Sequence, residues 1–432
     1  MCGIFGHSIN KEFNLKRSID SLNTLTHRGP DQQSYYLDQR VFIGHRRLSI
    51  LDLTENGKQP MESEQAVIAV NGEIYNFQKL KNELSKKYIF CSNSDSEVIL
   101  HGYQEWGITE LLSRIDGMYA IIIYDKRKNL IYLARDRYGI KTLYYSQINN
   151  QLTWASELKA LKNNFNEKIL SIDYTALYDY LTYLYIPTPK TLYKDIYKLP
   201  PAHFLCFDLN SYNSTINKYW ELETEEIDIS IENACLKTLE LIDQSVKEQM
   251  ISDVPLGFFL SGGIDSSIVV ATASKHSKDI NTYTIGFDVE EHNETKYAKI
   301  ISELFNTNHK EGLLNSSEAN KLINNIPGWY DEPFADTSAI PSYLVSDFAK
   351  KTSTVVLTGD GGDELFGGYD WYERFNLYKK TRFKFLRVLN KPASNVRSKY
   401  TYSLIGRIAN QIEYRTCTDL ELYTKLLGGL LK

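Results

Sequence analysis

Hydrophobic and polar positions change rhythm near the middle of the chain. In the first half, residues 34–41, 66–70, 119–124, 130–134 and 143–145 form short strand-like runs separated by Gly, Asn and Asp. Such runs read as strands divided by turns. Among them Leu15, Ile19, Leu22 and Leu25 recur at three- and four-residue steps, which predicts a helix with one apolar face. The first half therefore reads as packed sheets flanked by helices.

From residue 233 onward the elements alternate. Leu236, Leu239, Ile242 and Val246 mark a helix; residues 256–260 form an apolar run that meets Ser-Gly-Gly, and helical spacing resumes over 266–275. Residues 282–287 read as a strand, 295–305 as a helix and 354–357 as a buried strand. This alternation predicts a doubly wound parallel sheet with ligands at the carboxyl ends of its strands. Between the two rhythms, Glu221, Glu223, Glu225, Glu226, Asp228 and Glu232 have little to bury. Either they link two domains, 2–218 and 233–432, across an acidic linker at 219–232, or they form a solvated loop inside one domain.

Composition narrows the function classes. The chain has 432 residues, 42% hydrophobic and 24% charged, the balance of a well-packed globular protein. A net charge of -5 gives no general attraction to phosphates, which argues against a nucleic-acid partner. No segment approaches the roughly 20 apolar residues a membrane helix needs, and the N-terminus lacks the pattern of a secretory signal. Five dispersed cysteines without a CxxC pair suit a reducing cytoplasm, and the eight histidines show no metal-binding spacing.

Candidate chemistry begins at Cys2. If Met1 is removed, which the small following side chain permits, one residue carries both a thiol and an α-amine. An amine with a pKa near ~8 can serve as base for that nucleophile. The stretch Asn71-Gly72-Glu73-Ile74-Tyr75-Asn76 follows a predicted strand, either as a polar turn or as an oxyanion hole built from a side-chain amide and a glycine N–H. Arg47 offers a fork for a carboxylate. Ser94-Asp95-Ser96-Glu97 has the form of a helix capping box, in which Asp95 could also hold an ammonium group.

A second constellation lies in the C-terminal half. Leu260-Ser261-Gly262-Gly263-Ile264-Asp265-Ser266-Ser267 joins an apolar strand to a helix, so backbone N–H groups and the helix N-terminus can face an anion. Asp265 would repel a bare phosphate but fits Mg²⁺. No GxxxxGK[ST] is present, which excludes ordinary P-loop chemistry. The loop Thr358-Gly359-Asp360-Gly361-Gly362-Asp363-Glu364 follows another predicted strand and would bring its carboxylates to the same sheet edge.

Taken together these segments resemble the asparagine synthetase family. Cys2-Gly3-Ile4-Phe5-Gly6, His27-Arg28-Gly29-Pro30-Asp31, Arg47-Leu48-Ser49-Ile50, Asn71–Asn76 and Ser94–Glu97 occur in the order of its class II glutamine amidotransferase domain. Arg135-Asp136, Gly139-Ile140-Lys141 and Ala155-Ser156-Glu157-Leu158-Lys159 extend the match, with Thr142 and Ala202 standing where the family has Pro and Gly. The resemblance implies an N-terminal-nucleophile αββα sandwich. It makes Cys2 the nucleophile and gives Asn71 and Gly72 to the oxyanion. It also implies that Arg47, Leu48, Ser49, Ile50, Leu51, Glu73 and Asp95 bind glutamine.

The Ser-Gly-Gly loop resembles the family's ATP-pyrophosphatase half, which splits ATP to AMP and pyrophosphate. By that resemblance pyrophosphate lies on Ser261, Gly262, Gly263, Ser266 and Ser267, with Mg²⁺ on Asp265 and Asp363. Adenosine contacts Phe259, Leu260, Ile285, Thr358 and Gly359. The implied reaction adenylates a carboxylate, which ammonia arriving through a tunnel then attacks; the family's partners are small molecules, a homodimer being one possible assembly.

Three features depart from the family pattern. Asp360 occupies the position of a Glu that helps as a base. The segment Asp331-Glu332-Pro333-Phe334-Ala335-Asp336-Thr337-Ser338 lacks the family's Arg, and an Asp-Arg pair followed by Arg-x-Pro-Phe-Leu-Asp is not found before Lys432. The expectation is therefore an asparagine synthetase whose second half is incomplete. A relative amidating another carboxylate, such as a sugar acid, and a glutaminase-bearing scaffold with a defective second half are the alternatives. The basic stretch with Arg382, Lys384, Arg387, Arg397 and Lys399 reads as a solvated helical face rather than a nucleic-acid patch.

Overall fold

The computed structural model describes residues 1–10, 13–165, 170–288, 293–314, 321–381, 392–393 and 403–427. The basic residues Arg382, Lys384, Arg387, Arg397 and Lys399 fall outside them.

Twelve strands of the first half form two six-stranded sheets. In chain order they are β1 (Gly3–Ser8), β2 (Gln32–Leu37), β3 (Val41–Arg47), β4 (Met61–Glu62), β5 (Ala66–Ile74), β6 (Gly117–Asp125), β7 (Leu130–Arg135), β8 (Tyr144–Ile148), β9 (Gln151–Ala155), β10 (Ile196–Lys198), β11 (His203–Asp208) and β12 (Ser214–Lys218). One sheet runs β10-β8-β9-β1-β3-β2 and the other β12-β11-β7-β6-β5-β4. Ile4, Val41 and Ile43 of the first interlock with Val67, Ala69, Ile122 and Leu133 of the second.

Helices cover both outer faces. Helix α1 (Leu15–Asn23) presents Leu22 to Phe5 and Phe42 of the first sheet, as the three- and four-residue spacing anticipates. On the other side, α2 (Phe77–Leu84) and α3 (Glu97–Arg114) bury Leu80, Val98 and Leu111 against Ile68 and Ile121. The result is an αββα sandwich, as expected. Helices α4 (Leu158–Asn164) and α5 (Tyr174–Tyr183) complete this half.

Several local expectations need correction. Residues 34–41 do not form one strand, because Asp38 Oδ1 accepts the N–H groups of Arg40 (2.7 Å) and Val41 (2.8 Å) and turns the chain. The Asn71 segment is not a turn after a strand. It continues β5, with Asn71 opposite Ala120 and Gly72 opposite Tyr119 of β6. A Cβ at Gly72 would lie 2.1 Å from the Met118 carbonyl, so only glycine allows this close pairing. The strand expected at 143–145 begins at Tyr144 and runs to Ile148. Ser94–Glu97 does not close as a capping box either. Ser96 caps α3 without a side-chain bond, and Glu97 reaches back to the N–H groups of Cys91 (2.8 Å) and Ser92 (2.7 Å).

Residues 219–230 have no regular structure and are mostly exposed. Helix α6 (Ile231–Gln249) follows, then β13 (Leu256–Phe259), α7 (Ile264–His276), β14 (Asn281–Phe287), α8 (Thr295–Leu304), β15 (Asn308–Leu314) and β16 (Val355–Leu357). These strands form a parallel sheet in the order β15-β14-β13-β16. The last strand is less buried than expected. It lies at the sheet edge, where Val355 and Val356 are half-buried and only Leu357 is buried.

Direct bonds join the halves. Asp253 donates its N–H to the Ile50 carbonyl (3.0 Å) and accepts the Asp52 N–H (2.8 Å). Glu332 pairs with Lys198 (2.6 Å) and accepts the Leu192 N–H (2.7 Å).

Candidate functional site

Cys2 immediately precedes β1, whose first residue, Gly3, pairs with Arg46 of β3. Its Sγ lies 3.8 Å from the Leu48 carbonyl, and its own carbonyl accepts a 2.9 Å bond from Arg28 Nε. Burial pushes the thiol up, while the terminal ammonium and the Leu48 contact pull the other way. Burial also lowers the Met1 ammonium to about 6, with Arg28 and Lys141 adding to the effect. The same burial and the same neighbouring cations act against a charged amine one residue along, which Cys2 would carry once Met1 is removed.

Asn71 lies on the adjoining sheet, in the middle of β5. His45, uncharged because burial lowers it to about 4, donates through Nε2 to the Val70 carbonyl at 3.0 Å. That bond crosses from β3 to β5 and fixes the backbone next to Asn71. The Asn71 side chain is fully buried, yet neither its amide nitrogen nor its oxygen has a hydrogen-bond partner among the described residues. Buried polar groups are nearly always paired, so an orphan amide beside a glycine marks a place prepared for a ligand.

Two carboxylates follow. Asp95 Oδ2 accepts the Ile74 N–H at 2.7 Å, and burial raises this acid to about 6 despite that bond and those of Ser94 and Ser96. Burial, and then the charges of Asp95 and Cys2, push Glu73 well up. Arg47 is positioned differently from expectation. Its Nη1 donates to the Thr54 carbonyl (3.0 Å) and its Nη2 to the Leu51 (3.1 Å) and Asp52 carbonyls, so much of the fork stabilises the loop after β3. Leu48, Ser49, Ile50 and Leu51 line that loop, half-buried, with the Ser49 N–H held by Asp31 at 2.8 Å.

The second cluster gathers at the carboxyl ends of β13, β14 and β16. Ser261 and Ser266 share a 2.9 Å hydroxyl bond, and Ser261 Oγ accepts the Gly263 N–H at 3.1 Å. Ser267 Oγ is buried without a hydrogen-bond partner among the described residues. The two expected loops meet here. A Cβ at Gly362 would lie 2.4 Å from the Asp265 carboxyl carbon, and one at Gly359 would lie 2.8 Å from the Ser266 nitrogen. Asp265 thus packs against the residue before Asp363. Phe259, Ile285, Thr358 and Gly359 are half-buried at this edge and Asp360 is exposed. The Leu260 side chain belongs to the core beneath the sheet, so it can offer a ligand only backbone.

Among the described residues no three His, Cys, Asp or Glu side chains converge as a metal cage. Two carboxylates from adjoining loops still fit Mg²⁺, which keeps water and takes substrate phosphates as further ligands. No helix among the described residues is long and apolar enough to cross a membrane.

Comparison with known proteins covers both halves of the chain. Residues 1–220 match the family model for the glutamine amidotransferase domain, and residues 237–427 match that for asparagine synthase. "Asparagine synthetase [glutamine-hydrolyzing] 1" of Bacillus subtilis is 37% identical over 380 residues, 86% of this chain and 59% of its own length. "Putative asparagine synthetase [glutamine-hydrolyzing] 2" of Methanocaldococcus jannaschii is 37% identical over 419 residues, 90% of this chain and 80% of its own. The chain belongs to the glutamine-hydrolysing asparagine synthetase family. It spans about three-fifths of the Bacillus relative's length. A more distant relative, "Amidase chry2" of Gibberella zeae, is 28% identical over 430 residues, covering 87% of this chain and 60% of its own.

Within this asparagine synthetase family member, motif reading overlooked one buried charge. Lys141 is 6% exposed, and its ammonium has no hydrogen-bond or ion-pair partner among the described residues. Its field reaches Glu73 and Cys2. The preceding Arg135 and Asp136 explain how it is held. Arg135 Nε donates to the Lys141 carbonyl (2.8 Å), while Asp136 accepts the N–H groups of Ile140 and Lys141 (2.9 Å each). The Gly139-Ile140-Lys141 motif was the available signal; its neighbours could be found only from the fold.

Proposed function

We propose that this protein is a glutamine-dependent, ATP-consuming carboxylate amidotransferase, with aspartate as the acceptor and asparagine as the product. The observation that carries the reading is the orphan amide of Asn71, two residues along β5 from Glu73, whose carboxyl feels the charge of Cys2. Cys2, freed of Met1, attacks the side-chain amide of glutamine, and its α-amine takes the thiol proton and delivers it to the departing ammonia. Asn71 Nδ2 and the Gly72 N–H stabilise the oxyanion of the tetrahedral intermediate. Water then hydrolyses the glutamyl thioester. Leu48–Leu51 and Arg47 hold the α-carboxylate side of glutamine, and Glu73 and Asp95 receive its α-ammonium, with Lys141 helping to keep Glu73 ionised.

In the second domain, divided from the first at the acidic segment 219–232, Ser261–Ser267 cradle the β- and γ-phosphates of ATP. Phe259, Ile285, Thr358, Gly359 and the Leu260 backbone hold adenosine. Asp265 and Asp363 would hold Mg²⁺, which neutralises pyrophosphate as it leaves. AMP is then a competent leaving group from the acyl-adenylate when ammonia, led through a tunnel from the Cys2 pocket, attacks the carbonyl. Asp360 stands where a base is wanted.

The decisive test combines purified protein with ATP, glutamine and aspartate. Aspartate-dependent pyrophosphate and asparagine support the reading. Intact glutaminase without them removes aspartate as the acceptor. A second reading, a different carboxylate acceptor, is favoured by Asp360, which stands where the family has Glu.

Two further outcomes follow from the first pocket. Asn71→Ala removes one oxyanion donor and is expected to lower glutaminase kcat by about 10²–10³-fold with little change in KM, read from steady-state glutamate release. The pH dependence follows from Asp95. Its folded pKa is raised, so it takes up a proton as pH falls through about 6, and the ammonium site loses negative charge. KM for glutamine is therefore expected to rise below about pH 6 as Asp95 is protonated, whatever kcat does as the α-amine titrates, and a KM unchanged from pH 5 to 8 would exclude an ionised Asp95 from binding.

A further inference from the structure

We infer that Asp331, in the second half of the chain, positions the Cys2 nucleophile of the first half through an unbroken line of charged side chains. The inference rests on the proposed glutaminase role of Cys2 and adds a control over that same site. Asp331 Oδ2 accepts the Lys159 N–H at 2.9 Å, and its Oδ1 lies 3.4 Å from Lys159 Nζ. Lys159 Nζ lies 3.0 Å from Glu157 Oε2, an ion pair without hydrogen-bond alignment. Glu157 Oε1 accepts a 2.8 Å bond from Arg28 Nη1, and Arg28 Nε donates to the Cys2 carbonyl at 2.9 Å.

Burial gives this line its force. The side chains of Arg28, Glu157, Lys159 and Asp331 are 10%, 15%, 27% and 11% exposed. Charge pairs in such places are poorly screened, and removing one partner leaves the next uncompensated, unlike an exposed surface pair. His27 also pairs with Glu157, but from the solvent side, at 53% exposure. Hydrogen bonds and charge from His27 and Arg28 hold the Glu157 carboxyl at about 2 against the upward push of burial, so it remains an anion.

The end of the line is where precision matters. Cys2 precedes the first residue of β1, and chain ends fray unless tied down. Among the described residues its thiol makes one long hydrogen-bond contact, to Leu48, so the Arg28 bond orients the peptide that carries the nucleophile. A misplacement of about 1 Å at a reacting group can cost about 10²-fold in rate. Asp331 opens the segment 331–338, and Glu332 beside it is fastened to Lys198 and Leu192. Movement of that segment would therefore be transmitted to the thiol. Arg28, Glu157, Lys159 and Asp331 act as positioning residues.

The test uses the whole chain with Arg28→Gln, Lys159→Gln, Asp331→Asn and the double variant Arg28→Gln/Asp331→Asn. Glutaminase kcat is measured per alkylatable Cys2 thiol, which discounts unfolded protein, together with KM for glutamine and the rate of Cys2 alkylation. Asp331→Asn and Lys159→Gln are expected to lower kcat by about fivefold or more with KM nearly unchanged. The double variant should be no slower than Arg28→Gln alone, because both act along one line. Wild-type kcat in Asp331→Asn, an effect confined to KM, or effects that multiply in the double variant would each overturn the inference. If the unaltered protein alkylates at Cys2 yet never hydrolyses glutamine, the glutaminase reading fails. The same pattern in alkylation rates then decides the positioning role.

Discussion

Cys2→Ala is expected to abolish glutamine-driven amide formation, by roughly a thousandfold or more, while ammonia-driven formation continues. The reason is the separation of the two clusters. The thiol, the Asn71 amide and the Glu73–Asp95 carboxylates belong to the antiparallel sandwich, whereas the Ser261–Ser267 and Thr358–Glu364 loops sit on the parallel sheet. Alanine removes a side chain that makes one weak contact, to the Leu48 carbonyl, so the fold should tolerate it. Product formation with ammonium chloride and with glutamine, measured on the same preparation, separates the steps. Equal loss with both nitrogen sources would mean that the thiol supports the second site or the fold. Retention of glutamine use would remove Cys2 from the chemistry.

Asp265→Asn should act in the opposite sense. It is expected to reduce pyrophosphate release about a hundredfold or more and to leave glutaminase activity within about twofold. Asparagine keeps the shape that packs against Gly362 and keeps a hydrogen-bonding group in the first turn of α7, but it loses the charge. If Asp265 served only the helix end, the change would be mild, since Asn is also accepted near helix N-termini. If it holds a cation on the phosphates, activity collapses. Pyrophosphate release assayed across a range of magnesium concentrations distinguishes the two, and an unchanged rate would exclude the metal role.

Much of this architecture is legible in the sequence because its signals are local. The strand–helix rhythm after residue 233 produces the parallel sheet, and the three- and four-residue spacing of Leu15 to Leu25 produces α1. What escaped depends on distant partners or on one side chain overriding a pattern. Asp38 breaks the strand-like run 34–41 by accepting two backbone N–H groups. Asn71 and Gly72 look like turn residues, yet pairing with Ala120 and Tyr119 holds them in a strand. Lys141 looks like one more surface lysine until Arg135 and Asp136 fold its loop inward. The contact between Lys159 and Asp331 joins positions 172 apart in sequence, beyond any periodicity.

The bare amide of Asn71 also sets a limit on how robust this protein can be. An unanswered polar group in a dry interior costs a fold on the order of 1–3 kcal/mol, a large share of a marginal stability. Selection for heat resistance alone would favour an oily residue of similar volume there. If Asn71 serves the proposed oxyanion, its replacement by an oily residue of similar volume should raise the melting temperature and lower glutamine turnover together.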